Sequence, residues 1–125
     1  MKLAEIVDKL ALGIRTGSDR LDAEVTGGYS SDLMSDVMAH ARKGDLWITL
    51  QGHQNIVAVA SLNELAGIIL VNGREPDDDT LAKAQVERIP IMVSELSTFE
   101  VAGRLYKLGV RGMPNKDAVS PAHAS

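Results

Sequence analysis

The chain has no cysteine. That removes disulfides, thiolate nucleophiles and cysteine-based zinc or iron–sulfur sites, and it fits a reducing cytoplasm. Aromatic residues are scarce, at 3%, so a core must be assembled from Val, Ile, Leu, Ala and Met. Positive charge is in deficit, with 13 Lys and Arg against 17 Asp and Glu. A nucleic-acid surface, which needs a basic stripe to displace counterions, is therefore not expected. No run reaches the roughly 20 apolar residues of a membrane span. The start, Met1-Lys2-Leu3-Ala4-Glu5 leading to Asp8 and Lys9, lacks the apolar stretch of a signal peptide. The expectation is a cytoplasmic protein with no membrane contact.

What is present suffices for one folded domain. Hydrophobic residues make up 45% of 125, enough to bury a core without staples. Leu3, Ile6, Val7 and Leu10 recur at helical spacing, which predicts a helix over 2–12 closed by Gly13. Residues 14–20 read as a short strand edge and turn, and Leu21 to Val25 alternates like a half-exposed strand. Gly27-Gly28 reads as a turn, after which Ser30 or Ser31 caps a helix to about Ala41, with Leu33, Met34, Val37, Met38 and Ala41 as its apolar stripe.

Leu46 to Leu50 is a short apolar run with β-branched content, as in a strand covered on both faces. A short helix from Asn55 to about Asn63 and a second apolar strand, Leu65 to Val71, follow. Pro76-Asp77-Asp78-Asp79 opens a helix with acids at its positive end; Leu81, Ala84, Val86 and Ile89 are its expected inward residues. Ile89 to Val93 is a third apolar strand, with Pro90 placed as edge strands tolerate. Ser97-Thr98-Phe99-Glu100 is a capping box. It opens a helix to about Leu108 with Phe99, Ala102, Leu105 and Tyr106 as contacts. Strand and helix alternate from 46 to 108, which predicts a three-layer α/β domain over 1–111 with a mostly parallel sheet of four or five strands. Residues 112–125 have little periodicity and are expected to form a flexible tail.

Two clusters stand out. Thr26-Gly27-Gly28-Tyr29-Ser30-Ser31 leads into a helix start, where amides and hydroxyls can hold a phosphate or carboxylate. Its structural alternative is a strand-to-helix turn, and Asp32 and Asp36 compete with an anion. GxxxxGK[ST] and GxGxxG are both absent. Gln51-Gly52-His53-Gln54-Asn55 offers amides and an imidazole, suited to reading a base or carrying a proton; the alternative is a polar loop in which Asn55 caps a helix. Ligands of parallel sheets sit beyond the carboxyl ends of strands, and both clusters fall there in this reading. The expected ligand-binding residues are thus Thr26, Gly27, Gly28, Tyr29, Ser31, Gln51, His53 and Asn55. His40 and His123 lack partners at metal-ligand spacing, and Asp77-Asp78-Asp79 is explained by its helix start, so no metal site and no cofactor is expected. A serine nucleophile at Ser31 or Ser35 would have only His53 as a base.

Val25-Thr26-Gly27-Gly28-Tyr29, Ser31-Asp32-Leu33-Met34-Ser35-Asp36-Val37-Met38, Trp47-Ile48-Thr49-Leu50-Gln51, His53 and Asn55-Ile56-Val57-Ala58-Val59-Ala60 occur in an order that resembles a stand-alone DRTGG domain over roughly 2–108. Glu24-Val25 replaces the first two motif positions, so no role is carried over to that pair. Such domains resemble the N-terminal domain of HPr kinase/phosphorylase. They also occur in phosphotransacetylases, in CBS-domain pyrophosphatases and as proteins encoded near iron-only hydrogenase genes. The resemblance implies a regulatory or accessory module, often dimeric and without catalysis of its own; with the two clusters, the first expectation is a self-associating module that binds a small anionic ligand such as a nucleotide or phosphorylated metabolite at Thr26–Ser31 with Gln51–Asn55. The alternatives are a structural homodimeric adaptor for a larger, hydrogenase-related enzyme, and a small enzyme using His53.

Overall fold

Leu46, Trp47 and Ile48 sit in a strand, Asp45–Thr49, in which every residue is buried. Only a central strand covered on both faces achieves this. The computed structural model describes residues 1–112; beyond Gly112, the expected tail lies outside the described residues. In chain order the elements are α1 (Leu3–Leu10), β1 (Gly13–Thr16), a 3₁₀ turn (Ser18–Arg20), β2 (Gly27–Ser30), α2 (Met34–His40), β3 (Asp45–Thr49), α3 (Asn55–Leu62), β4 (Gly67–Leu70), α4 (Asp78–Glu87), β5 (Ile91–Val93) and α5 (Thr98–Leu108).

The five strands form one sheet in the order β1-β5-β4-β3-β2. β2 to β5 are parallel, and β1 pairs antiparallel with β5. On one face α2, α3 and α4 bring Val37, Ile56, Val57 and Ala84 against Trp47, Ile68, Leu70 and Ile91. On the other, α1 and α5 bring Leu3, Ile6, Val101 and Leu105 against Leu46, Ile48, Ile69 and Met92. The expected three-layer α/β fold with a mostly parallel sheet is the observed one. α5 starts as its sequence predicts, with the Ser97 hydroxyl accepting the Glu100 amide at 3.3 Å, and ends at Gly109 in the left-handed region.

Several local expectations are corrected. Leu21 to Val25 is no ladder strand: the carbonyls of Leu21 and Ala23 accept the amides of Ala4 and Leu3, satisfying the free first turn of α1. Gly27-Gly28 is no turn but the first half of β2. Neither Ser30 nor Ser31 is the N-cap of α2; Leu33 is, and the Ser31 hydroxyl accepts the Leu33 amide at 3.2 Å in the preceding turn. Of the expected stripe on α2, Val37 is fully buried while Leu33 and Met38 are exposed. Asn55 is the first residue of α3, with Gln54 at the cap position. Val86, Phe99 and Tyr106 point to solvent, because Thr80 and Ala84 supply the inner face of α4 and Val101 and Leu105 that of α5. Pro90 precedes an interior strand, not an edge.

Candidate functional site

β2 sorts the expected site residues into separate places. At about 3.3 Å per residue, the strand sets Thr26 and Ser31 roughly 16 Å apart along the chain. Thr26 precedes β2, at the amino end of the parallel strands, while Ser31, Gln51, His53 and Asn55 lie at the carboxyl end. Gly28 and Tyr29 sit between them and project to opposite faces. Thus the two clusters do not share one pocket.

At the carboxyl end the polar groups bind one another. The Asp32 carboxylate accepts the Thr49 hydroxyl at 2.9 Å and the Leu50 amide at 2.8 Å. The Gln51 side chain donates to the Asp32 carbonyl at 3.3 Å, and Trp47 Nε1 donates to the Ser31 carbonyl at 2.8 Å. His53 Nδ1 accepts the Asn55 amide at 3.2 Å within its own turn. The Gly52 carbonyl accepts the Thr80 hydroxyl at 2.7 Å and the Asp77 amide at 3.0 Å. A crevice in such sheets opens where neighbouring strands send their connections to opposite faces. Here that place lies between β4, which leads to α4, and β5, which leads to α5. It is bridged: the Asn72 amide donates to the Leu96 carbonyl at 2.8 Å and the Gly73 amide to the Ser94 carbonyl at 2.9 Å. Beside it Arg15 and Glu75 form a two-point ion pair at 2.7 and 2.8 Å, which holds the Glu75 carboxyl below its usual range.

In the middle, Tyr29 donates to Asp36 at 2.8 Å, and His40 Nδ1 lies 3.1 Å from the same carboxylate. The Tyr29 and His40 rings stack with centroids 6.5 Å apart. The Tyr29 hydroxyl lowers the Asp36 pKa; burial, followed by the bond to Asp36, raises that of Tyr29. Gly28 lies behind a small apolar cavity of about 120 Å³ between β2 and α5, lined by Ala102, Tyr106 and Val110 among others. Among the described residues, no three His, Asp or Glu side chains are grouped to hold a metal ion.

The amino end differs. A cavity of about 360 Å³ is lined by Thr26, Gly27, Arg42, Lys43, Asp45 and Arg111, with Gly112 at its border. Gly27 is required there: a Cβ would stand 2.5 Å from Asp45 Oδ1 and 2.9 Å from the Arg111 carbonyl. Gly44, at φ +87°, turns the chain against Thr26. The Thr26 hydroxyl donates to the Lys43 carbonyl at 3.2 Å. Asp45 accepts the Arg42 amide at 2.8 Å, and burial pushes its carboxyl above the usual range. Sequence reasoning found Thr26 and Gly27 but missed the three cations. Arg42-Lys43 beside Gly44 was the available signal; Arg111 reaches the site only through the packing of α5.

A family model described as the DRTGG domain matches residues 5–108. No curated protein matches the chain. Among solved structures, the CBS and DRTGG domains of the regulatory region of Clostridium perfringens pyrophosphatase, crystallised with the activator diadenosine tetraphosphate, align with a TM-score of 0.68 at 15% identity. The alignment covers 83% of this chain and 45% of that one, so this chain spans less than half the length of its neighbour. At that identity the likeness is one of fold.

Proposed function

The chain belongs to the DRTGG domain family, and from that premise we propose that it is a cytoplasmic regulatory or accessory module, self-associating and without catalysis of its own, that responds to a small anionic ligand such as a nucleotide or phosphorylated metabolite. The observation that carries this reading is the likeness of its fold to a regulatory region crystallised with a dinucleotide activator. His53, the one base sequence reasoning offered, spends Nδ1 on its own turn and has no serine hydroxyl bonded to it among the described residues. Titration calorimetry with a panel of nucleoside mono-, di- and triphosphates, together with light scattering, tests the reading. Heat from at least one nucleotide and a dimer mass are expected. No heat from any of them overturns the ligand, and a strictly monomeric mass overturns self-association.

A second reading, a structural homodimeric adaptor for a larger enzyme, is favoured by the Ser30 end of β2, beyond the point where the Gly28 amide donates to the Arg111 carbonyl at 3.2 Å. β2 is an edge strand with Ser30 exposed, beside a helix that shows Phe99 and Tyr106 to solvent. Such an edge offers backbone groups to a partner strand. A dimer that binds no nucleotide would favour it.

A further inference from the structure

We propose that the cavity at the amino end of the sheet is a phosphoryl-binding site, in which Arg42, Lys43 and Arg111 hold the phosphate end of a ligand above Thr26 and Gly27. This rests on the ligand-binding reading above and adds which part of the ligand is held and by which side chains.

The charge balance comes first. Three cationic residues line this space against one carboxylate, in a chain whose net charge is −4. The carboxylate, Asp45, is engaged by the Arg42 amide. The cations are also available. Arg111 Nη1 is fixed by the carbonyls of Tyr106 and Val110, and its guanidinium carbon lies 3.8 Å over the Tyr106 ring. Its Nη2 and Nε make no hydrogen bond among the described residues, so two nitrogens of a side chain that lines the cavity are free to donate to phosphate oxygens. The Arg42 guanidinium has no ion pair or hydrogen bond among the described residues. Lys43 reaches Glu64 at 3.8 Å with both ends exposed, a contact of little worth that an anion can displace.

The lining also limits what is recognised. None of the described residues lining the cavity offers an aromatic face for a base to stack on or a side-chain amide to read its edge. The site therefore reads phosphate and is indifferent to the base. Inorganic pyrophosphate alone should fill it, ATP and GTP should bind alike, and adenosine should not bind.

The test is calorimetric titration of the full chain with pyrophosphate, ATP, GTP and adenosine, paired with amide chemical-shift mapping. Pyrophosphate and both triphosphates are expected to bind and to compete, with shifts at Thr26, Gly27 and Gly44. Arg42→Gln and Arg111→Gln should each weaken pyrophosphate about tenfold or more, while Arg74→Gln at the far end of the sheet has no effect. Arg42 is exposed, so its variant remains folded even where Arg111→Gln does not, and circular dichroism checks both. ATP binding that pyrophosphate cannot displace and that survives Arg42→Gln overturns this site and leaves the regulatory reading standing. Pyrophosphate binding without binding of any nucleotide supports the three cationic side chains as an anion site but overturns its indifference to the base and, with it, the nucleotide reading. Silence from every phosphate compound overturns both.

Discussion

Gly27 and Asp45 face each other across the β2–β3 ladder, so close that a Cβ on Gly27 would stand 2.5 Å from Asp45 Oδ1. The Thr-Gly-Gly stretch therefore carries a packing requirement quite apart from any ligand. Gly27→Ala should cost about 1–3 kcal/mol, the usual penalty of overpacking. Gly103, in α5, has nothing within 4 Å of its would-be Cβ. Gly103→Ala should stabilise by about 0.5–1 kcal/mol through helix propensity. Urea denaturation of both variants checks the contrast, and a Gly27→Ala protein as stable as the parent would refute it.

Asp32 is expected to matter for stability, although at the site sequence reasoning regarded it as a competitor for an anion. Its Oδ1 accepts both the Thr49 hydroxyl and the Leu50 amide, and Thr49 is fully buried. Asp32→Ala should lose about 1–3 kcal/mol, because it leaves polar groups near the end of β3 short of a partner. Asp32→Asn, which keeps an acceptor oxygen, should lose less. Thermal melts rank the two, and equal losses would show that the carboxylate's charge, not its hydrogen bonding, is what counts.

These two sites show how much of the molecule was legible beforehand. β3 and β4 were read because strands covered on both faces need predominantly apolar runs, which Leu46–Leu50 and Leu65–Val71 are. α5 was read because a capping box is local chemistry. β2 was not, since Gly27-Gly28-Tyr29-Ser30 has no β-branched residue and glycine pairs ordinarily mark turns. What makes it a strand is its ladder with β3, which lies outside any local window. Leu21 to Val25 alternates like a strand yet gives its carbonyls to α1. For the site the same limit applied. Thr26 and Gly27 were picked out by composition, but they were grouped with Gln51 and His53 because a misplaced turn put both clusters at the same end of the sheet.

The Tyr29–Asp36 hydrogen bond predicts an acid-dependent difference. The Tyr29 hydroxyl, with Ser31 and His40 contributing, lowers the folded pKa of Asp36 below its unfolded value. The associated stabilisation is therefore present above the ordinary carboxylate pKa and is lost as pH falls through the lowered one. Tyr29→Phe removes the hydroxyl and keeps the ring. Its stability deficit should be present at neutral pH and shrink in the acid range. Denaturation midpoints across that range measure it, and a deficit independent of pH would assign the effect to packing.

Asp45 should behave in the opposite sense. Burial raises its folded pKa above the unfolded value, so the folded chain holds its proton longer. The stability this brings is present below the unfolded pKa and is lost as pH rises through the folded one. Asp45→Asn retains a carbonyl oxygen for the Arg42 amide and removes that loss, so the variant should gain on the parent as pH rises through this window. The same carboxylate borders the cationic cavity, so its ionisation opposes a bound anion. Anion binding then takes up a proton by linkage, and affinity falls as pH rises past the Asp45 pKa. Sulfate, which keeps its double charge over this interval, separates the protein's titration from the ligand's. Asp45→Asn should bind sulfate more tightly than the parent and lose the pH dependence. If the parent's sulfate affinity does not change with pH, or if the variant retains the same slope, Asp45 is not coupled to the site.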